Sequence, residues 1–199
     1  MPLDLEIGCG VGWHPIRYAL THPGRQLLAI ERTRAKFTRF SQRYDSHLSG
    51  RAADTADKLR SLHPIHDDAV NVLAHAPPSW RFSRVFFLYP NPEPKSPKRR
   101  WPRSPVRQLL VEHLDPTSAH LVAASNDAAL IADFLNWFHE LADALGLCRA
   151  QSVWVSRINR NDRHFGLTAP RTHFEKKYLE RGETCTQVEF AVKGRDRLD

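Results

Sequence analysis

The chain has 199 residues, 41% of them hydrophobic and 26% charged, with 29 Lys+Arg against 22 Asp+Glu and a formal net charge of +7. That size and balance predict one globular domain spanning residues 1–199 and exclude a disordered chain. Its apolar runs, such as Val85 to Tyr89, are far shorter than the roughly 20 residues a membrane helix needs.

Leu3 to Ile7 reads as a strand running into Gly8-Cys9-Gly10-Val11-Gly12, and Trp13 to Leu20 continues as a helix. A second strand is expected over Gln26 to Ile30, ending in Glu31. A helix over Arg34 to His47 follows, with Phe37, Phe40 and Tyr44 on one face. Ala52 to Leu62 reads as helix, Pro64-Ile65-His66 as a short strand closed by Asp67-Asp68, and Val70 to Ala74 as helix. Arg84 to Tyr89 is an aromatic and β-branched strand that stops at Pro90-Asn91-Pro92.

A basic, proline-rich loop, Glu93 to Pro105, precedes a helix over Val106 to His113, a strand over His120 to Ser125 and a long helix over Asp127 to Leu145. The long helix carries Ile131, Phe134, Leu135 and Phe138 as its apolar stripe. Ser152 to Ile158 and Gln187 to Val192 read as late strands, with a short helix over Arg171 to Arg181 between them. The alternation predicts an α/β fold: a doubly wound, mostly parallel sheet with an antiparallel C-terminal strand.

The glycine loop lacks the G-x-G-x-x-G spacing of the dinucleotide fingerprint, but it sits between a strand and a helix, follows Glu6 and precedes Glu31 by about 20 residues. In such a sheet Glu31 lies beside the turn, where a carboxylate can accept both hydroxyls of a ribose. Asp68 is placed to accept from an adenine amino group. Acids without a phosphate-seeking lysine point to a positively charged nucleoside, and S-adenosylmethionine fits best. The alternative is a plain tight turn flanked by solvated acids. Cys9 is expected to fill space in the turn.

Tyr89-Pro90-Asn91-Pro92 falls at the carboxyl edge of its strand, where a stiff loop would present the Asn91 amide to a purine. Lys95, Lys98, Arg99, Arg100 and Arg103 cluster around Trp101, a composition suited to phosphates and unpaired bases or, alternatively, to a solvated face. The cysteines number three, Cys9, Cys148 and Cys185, too few and too scattered for a disulfide framework or a zinc site. His63 and His66 have no third ligand nearby, so no metal is expected.

Taken together these segments resemble the tRNA (guanine-N7-)-methyltransferase family. The likeness is carried by Glu6-Ile7-Gly8-Cys9-Gly10, Ala29-Ile30-Glu31-Arg32, His66-Asp67-Asp68-Ala69, Phe87-Leu88-Tyr89-Pro90-Asn91-Pro92 with Lys95 and Lys98-Arg99-Arg100, and Arg171-Thr172-His173-Phe174-Glu175. It implies a Rossmann-like class I methyltransferase that moves a methyl group from S-adenosylmethionine to N7 of a tRNA guanine. Separately, Met1 to Glu6 carries acids where a secretory signal would be basic and then apolar, so a cytoplasmic location is expected. Carried over residue by residue, the resemblance implies cofactor contacts from Gly8, Glu31 and Asp68; Glu6, Gly10 and Tyr89, which adjoin them in the same motifs, are also expected at the cofactor. Substrate contacts are implied for Lys95, Arg99, Arg100, Asp127, Thr172 and Glu175, and a base-orienting role for Asn91.

The chain departs from the family in three ways. Asn91 stands where the family has Asp, Glu93 replaces a loop aromatic in a shorter basic loop, and the chain starts at the first strand without the family's N-terminal extension. The first departure leaves two alternatives open: a methyltransferase for another nitrogen substrate, or a silent RNA-binding homologue. The last carries the expectation of weaker RNA binding.

Overall fold

The computed structural model describes residues 1–49, 53–105, 107–158 and 170–193. Strand and helix alternate as β1 (Leu3–Ile7), α1 (Trp13–Thr21), β2 (Gln26–Ile30), α2 (Arg34–Ser49), α3 (Ala53–Leu59), β3 (Leu62–Ile65), α4 (Ala69–Ala74) and β4 (Phe82–Leu88). Two short 3-10 turns, Pro97–Arg99 and Trp101–Arg103, shape the next loop. The chain continues through α5 (Arg107–Glu112), β5 (His120–Ser125), α6 (Ala128–Ala144), α7 (Arg149–Ser152), β6 (Val153–Ile158), α8 (His173–Glu180) and β7 (Cys185–Ala191).

The strands make one seven-stranded sheet in the order β3-β2-β1-β4-β5-β7-β6. β1 to β5 pair in parallel, and Leu5 lies opposite both Leu28 and Val85 at the centre. β7 enters the slot between β5 and β6 antiparallel to both. Winding proceeds outward from β1 to β3 and then crosses to β4, so the order reverses between β1 and β4. At such a reversal the connecting loops diverge and leave a crevice at the carboxyl ends of the strands.

The central strands are buried on both faces and feed two apolar layers alternately. Leu5, Ile7, Ile30, Val85, Phe87 and Leu121 pack against Leu73, Leu110, Phe134, Trp137 and Phe138 from the helices of one face. Leu27, Ala29, Phe86, Leu88 and Val122 pack against Ile16, Tyr18, Phe40 and Leu59 on the other. The stripe expected on α6 is observed: Ile131, Phe134 and Phe138 are buried and Leu135 packs at the margin. Full burial of one such phenylalanine contributes roughly 1.5–3 kcal/mol.

The even positions of β1 are acids buried under α1, and each has a partner. Asp4 accepts from the Tyr18 hydroxyl at 2.6 Å and from Arg25 Nε and Nη2 at 2.6 and 2.5 Å, while Glu6 Oε2 lies 2.7 Å from His14 Nδ1.

Several boundaries differ from the sequence expectation. Helix α3 ends at Leu59 instead of Leu62, because Leu62 already belongs to β3, paired with Leu27. Strand β4 starts earlier, at Phe82, and ends at Leu88, since Tyr89 turns out with φ 56°. A short unexpected helix, α7, takes Ser152 out of the sixth strand. Helices α6 and α8 begin one residue after side-chain caps, Asp127 accepting from Leu130 N at 2.7 Å and Thr172 Oγ1 from Glu175 N at 3.0 Å. Ala52 and Val106, expected to open helices, lie outside the described residues. Among the described residues no helix is long and apolar enough to cross a membrane.

Candidate active site

The loop after β1 adopts left-handed conformations at Gly8, Gly10 and Gly12, with φ of 75, 62 and 80°. Gly12 is also forced by packing, because a Cβ there would lie 2.0 Å from Cδ2 of Phe40. The loop is tied to the end of β2: Gly8 N and Cys9 N donate to the Ile30 carbonyl at 2.8 and 3.0 Å. Beyond it, Glu31 Oε2 accepts from Gly10 N at 2.9 Å and Oε1 from Thr33 N at 2.8 Å. Each carboxylate oxygen keeps a second acceptor site, so Glu31 can close the loop and still receive a vicinal diol.

A cleft of about 340 Å³ opens beside this loop. Its walls are the carboxyl ends of four parallel strands: Gly8 after β1, Glu31 after β2, Asp67 and Asp68 after β3, and Tyr89, Pro90 and Asn91 after β4. Glu93, Arg99 and Trp101 complete it from the loop after β4, with Lys36 and Phe174 opposite. The volume falls in the range of small-molecule sites. Asp68 caps α4 through Oδ1, accepting from Val70 N at 3.0 Å, and its Oδ2 lies 3.5 Å from Arg32 Nη1.

A second hollow of about 220 Å³ shares Gly8, Lys36 and Phe174 with the cleft and is otherwise lined by Glu6, Gly10, Trp13, His14, Arg39, Thr172, His173 and Lys177 among others. Glu6 therefore sits beneath the glycine loop, bonded to His14, and not in the larger cleft. Cys9 is buried there too. Burial, then the charges of Glu6 and Glu31, push its thiol well above the ordinary range, which suits a space-filling role and not a nucleophile.

The loop after β4 is held in strained backbone: Tyr89 and Glu93 have φ of 56 and 44°. The Tyr89 hydroxyl is buried, with the Cys185 thiol beside it. Burial, then the Glu175 charge and the Cys185 thiol beside it, raise its titration far above the usual phenol. Asn91 Nδ2 donates to Glu93 Oε1 at 3.0 Å, and Glu93 N donates back to Asn91 Oδ1 at 3.2 Å.

The basic cluster divides in two. Arg99 is exposed and lines the cleft, and Lys95 is exposed outside it. Arg100, expected to meet the substrate, is instead buried: Nε donates to the Pro92 carbonyl at 2.6 Å and Nη1 to Asp133 Oδ2 at 2.8 Å. Arg103 Nε and Nη2 donate to Asp133 Oδ1 at 2.8 and 2.6 Å. Burial acts to raise the Asp133 carboxyl, but the hydrogen bonds and charges of Arg103 and Arg100 outweigh it and hold it below the usual range. These guanidiniums fasten the loop to α6.

Thr172 reaches the second hollow as the cap of α8, but Glu175 lines neither cavity. It is buried and accepts from Arg171 Nε at 3.0 Å, while Arg171 Nη1 donates to Gln187 Oε1 at 2.5 Å. Asp127 is likewise occupied as a helix cap and lines neither cavity. His63 bonds Gln26 at 3.1 Å and His66 stacks on Phe37, and no group of three His, Cys, Asp or Glu is placed to hold a metal ion among the described residues.

A basic and aromatic face surrounds the second hollow; the basic segment Arg171 to Arg181 was expected at this edge, but its partners on α1 and α2, Trp13, Lys36, Arg39 and Arg43, were not singled out in the sequence. Arg43 and Lys176 lie over the Trp13 ring at 5.6 and 5.9 Å, Lys36 lies over Phe174 at 5.6 Å, and His173 meets Trp13 edge-on at 5.8 Å. Its members come from α1, α2 and α8, so no single segment displays them. The signal available was Lys36, Arg39 and Arg43, spaced along one face of α2.

A family model described as "Putative methyltransferase" matches residues 1–188. A tRNA (guanine-N(7)-)-methyltransferase of Mycolicibacterium gilvum (strain PYR-GCK) is 28% identical over 189 residues, covering 94% of this chain and 66% of its own length. The enzyme of the same name from Chlorobium phaeobacteroides (strain DSM 266 / SMG 266 / 2430) is 25% identical, covering 89% of this chain and 75% of its own. The chain thus spans about two thirds to three quarters of the length of these relatives. Among solved structures, a 16S rRNA methyltransferase superposes with a TM-score of 0.61 at 14% identity, covering 97% of this chain and 88% of that one. A precorrin-6y C5,15-methyltransferase from Geobacter metallireducens GS-15 gives 0.60 at 12% identity, covering 97% and 80%. At these identities the structural likeness speaks for the fold.

Proposed function

The chain belongs to the methyltransferase family whose model spans residues 1–188, and we propose that it methylates N7 of a guanine in tRNA using S-adenosylmethionine, in the cytoplasm. The observation that carries the reading is the junction of two features at one sheet edge: the Glu31-closed glycine loop and the Arg100-anchored loop after β4, which wall the same cleft. The names of the relatives support the substrate, and the basic face formed by Trp13, Lys36, Arg39 and Lys177 suits an RNA phosphate backbone.

The cleft fits the cofactor on its own chemistry. Glu31 has acceptor sites left for a ribose diol, Asp68 stands on the adjoining strand end for the adenine amino group, and the carboxylates suit a ligand bearing positive charge. When bound, S-adenosylmethionine supplies an electrophilic methyl group. The chain's own work is positional. Guanine N7 carries a lone pair and no proton, so no general base is required, and the rate comes from holding the base against the methyl group while water is excluded. Arg99 and Trp101 both line the cleft, which supports a role for the Arg99 guanidinium on the substrate's phosphate and for the exposed part of the Trp101 ring on the base plane.

Incubation of the protein with labelled S-adenosylmethionine and unmodified tRNA, followed by nucleoside analysis, tests the reading. N7-methylguanine is the expected product. Label in another nucleoside or in a small amine overturns the substrate, and salt-dependent tRNA binding without any product leaves an RNA-binding homologue.

A further inference from the structure

We propose that Glu93, pinned by Asn91, is the group that selects guanine by accepting from the N1–H and 2-amino donors of the target base. This rests on the tRNA guanine reading above and names the residue that reads the base.

The loop places Glu93 for this from behind and from within. Behind it, Arg100 donates to the Pro92 carbonyl at 2.6 Å and is itself buried against Asp133 at 2.8 Å, so the residue between Asn91 and Glu93 is fastened to the body of the protein. Within the loop, the Asn91 carboxamide is turned on its neighbour: Nδ2 reaches Glu93 Oε1 at 3.0 Å and Oδ1 receives Glu93 N at 3.2 Å. Asn91 thus acts as a positioning residue, and its amide is engaged on both sides. Glu93 Oε2 makes no hydrogen bond among the described residues.

Both residues line the cleft, but the other carboxylates there stand at the ends of β2 and β3: Glu31 holds the Gly10 and Thr33 amides, Asp68 caps α4, and Asp67 bonds Asp68 N and Asn71. Glu93 is the carboxylate that the loop after β4 contributes, on the wall shared with Arg99 and Trp101.

The chemistry follows from the donor pattern. Guanine offers two adjacent donors on its Watson–Crick edge, which a carboxylate accepts together, whereas adenine offers an acceptor at N1 and is refused. Methylation at N7 makes the purine cationic, and an anionic acceptor stabilises that charge where a neutral amide would not. Holding Glu93 in place beforehand removes much of the ordering cost of the contact.

The test compares tRNA transcripts carrying guanosine with transcripts in which inosine, which lacks only the 2-amino group, replaces it. The wild-type protein is expected to favour guanosine by about tenfold or more in kcat/KM. In Glu93→Gln the preference collapses toward unity, and in Glu93→Asp, which keeps the charge, it is retained in part. The ratio is internal to each variant, so a general loss of activity does not imitate the result. A Glu93→Gln protein that forms N7-methylguanine with the wild-type preference overturns the proposal and leaves the tRNA reading intact. A wild-type protein that binds S-adenosylhomocysteine but methylates neither transcript overturns that reading and this proposal together.

Discussion

Glu31 reaches back across 21 positions of sequence to hold the Gly10 amide at 2.9 Å, so the carboxylate proposed above to meet a ribose is also the clasp of the glycine loop. Replacing it removes both functions at once. Glu31→Ala is expected to weaken S-adenosylhomocysteine binding by about tenfold or more, since charge-assisted hydrogen bonds are the strong ones. Isothermal calorimetry measures this, and unchanged affinity would rule out a ribose contact.

Gly12 and Gly146 both have positive φ, but only Gly12 has Phe40 against it. Gly12→Ala combines backbone strain with a clash that the buried ring cannot avoid, and is expected to cost about 2–4 kcal/mol. Gly146→Ala, whose new Cβ meets nothing within 4 Å among the described residues, is expected to cost only about 1 kcal/mol. Urea unfolding of the pair checks the difference, and equal losses would count against the packing argument.

Asp133 holds Arg100 and Arg103, and Asp133→Ala leaves the Arg100 guanidinium buried without its partner, a change expected to cost about 3–5 kcal/mol. The pH dependence has a definite sign. The Asp133 carboxyl is held below its usual range in the folded protein, so its contribution is complete above the ordinary carboxylate range and disappears as pH falls through the lowered folded value. Thermal melts of wild type and variant should therefore differ at neutral pH and converge in acid. A gap that widens on acidification would contradict the assignment.

The basic face offers a test separable from catalysis. Arg39→Ala and Lys177→Ala are each expected to lower the slope of tRNA affinity against salt by roughly one ion, with S-adenosylhomocysteine affinity unchanged. Filter binding over a salt series reads the slope. A slope unaffected by both changes would move the RNA path elsewhere on the protein.

Much of the fold was legible locally. The alternation of Leu3 to Ile7, Gln26 to Ile30 and Arg84 to Leu88 with amphipathic helices specifies a doubly wound sheet, and the glycines before Trp13 mark its first turn, because strand and helix periods are written in neighbouring residues. The boundary at Leu62 was lost because an apolar residue suits the end of a helix and the start of a strand equally.

The charged residues were less readable. Gly8, Glu31, Asp68, Tyr89 and Asn91 do converge on one cleft, as the ends of neighbouring parallel strands do, and Arg99 joins them from the loop after β4. Arg100 and Glu175 look in sequence like surface groups awaiting a ligand, yet Asp133 and Arg171 take them into the interior. The face of Trp13, Lys36 and His173 exists only once α1, α2 and α8 are packed together.

Sequence by itself determined the order of the strands and longer helices, the parallel architecture and the positions of the strand-end acids. Tertiary structure alone decided which acids and bases neutralise one another and which are left facing the cleft. The reason is physical: a charge is stable inside only beside its counter-charge, and residues such as Arg100 and Asp133, 33 positions apart, meet only when the chain is folded.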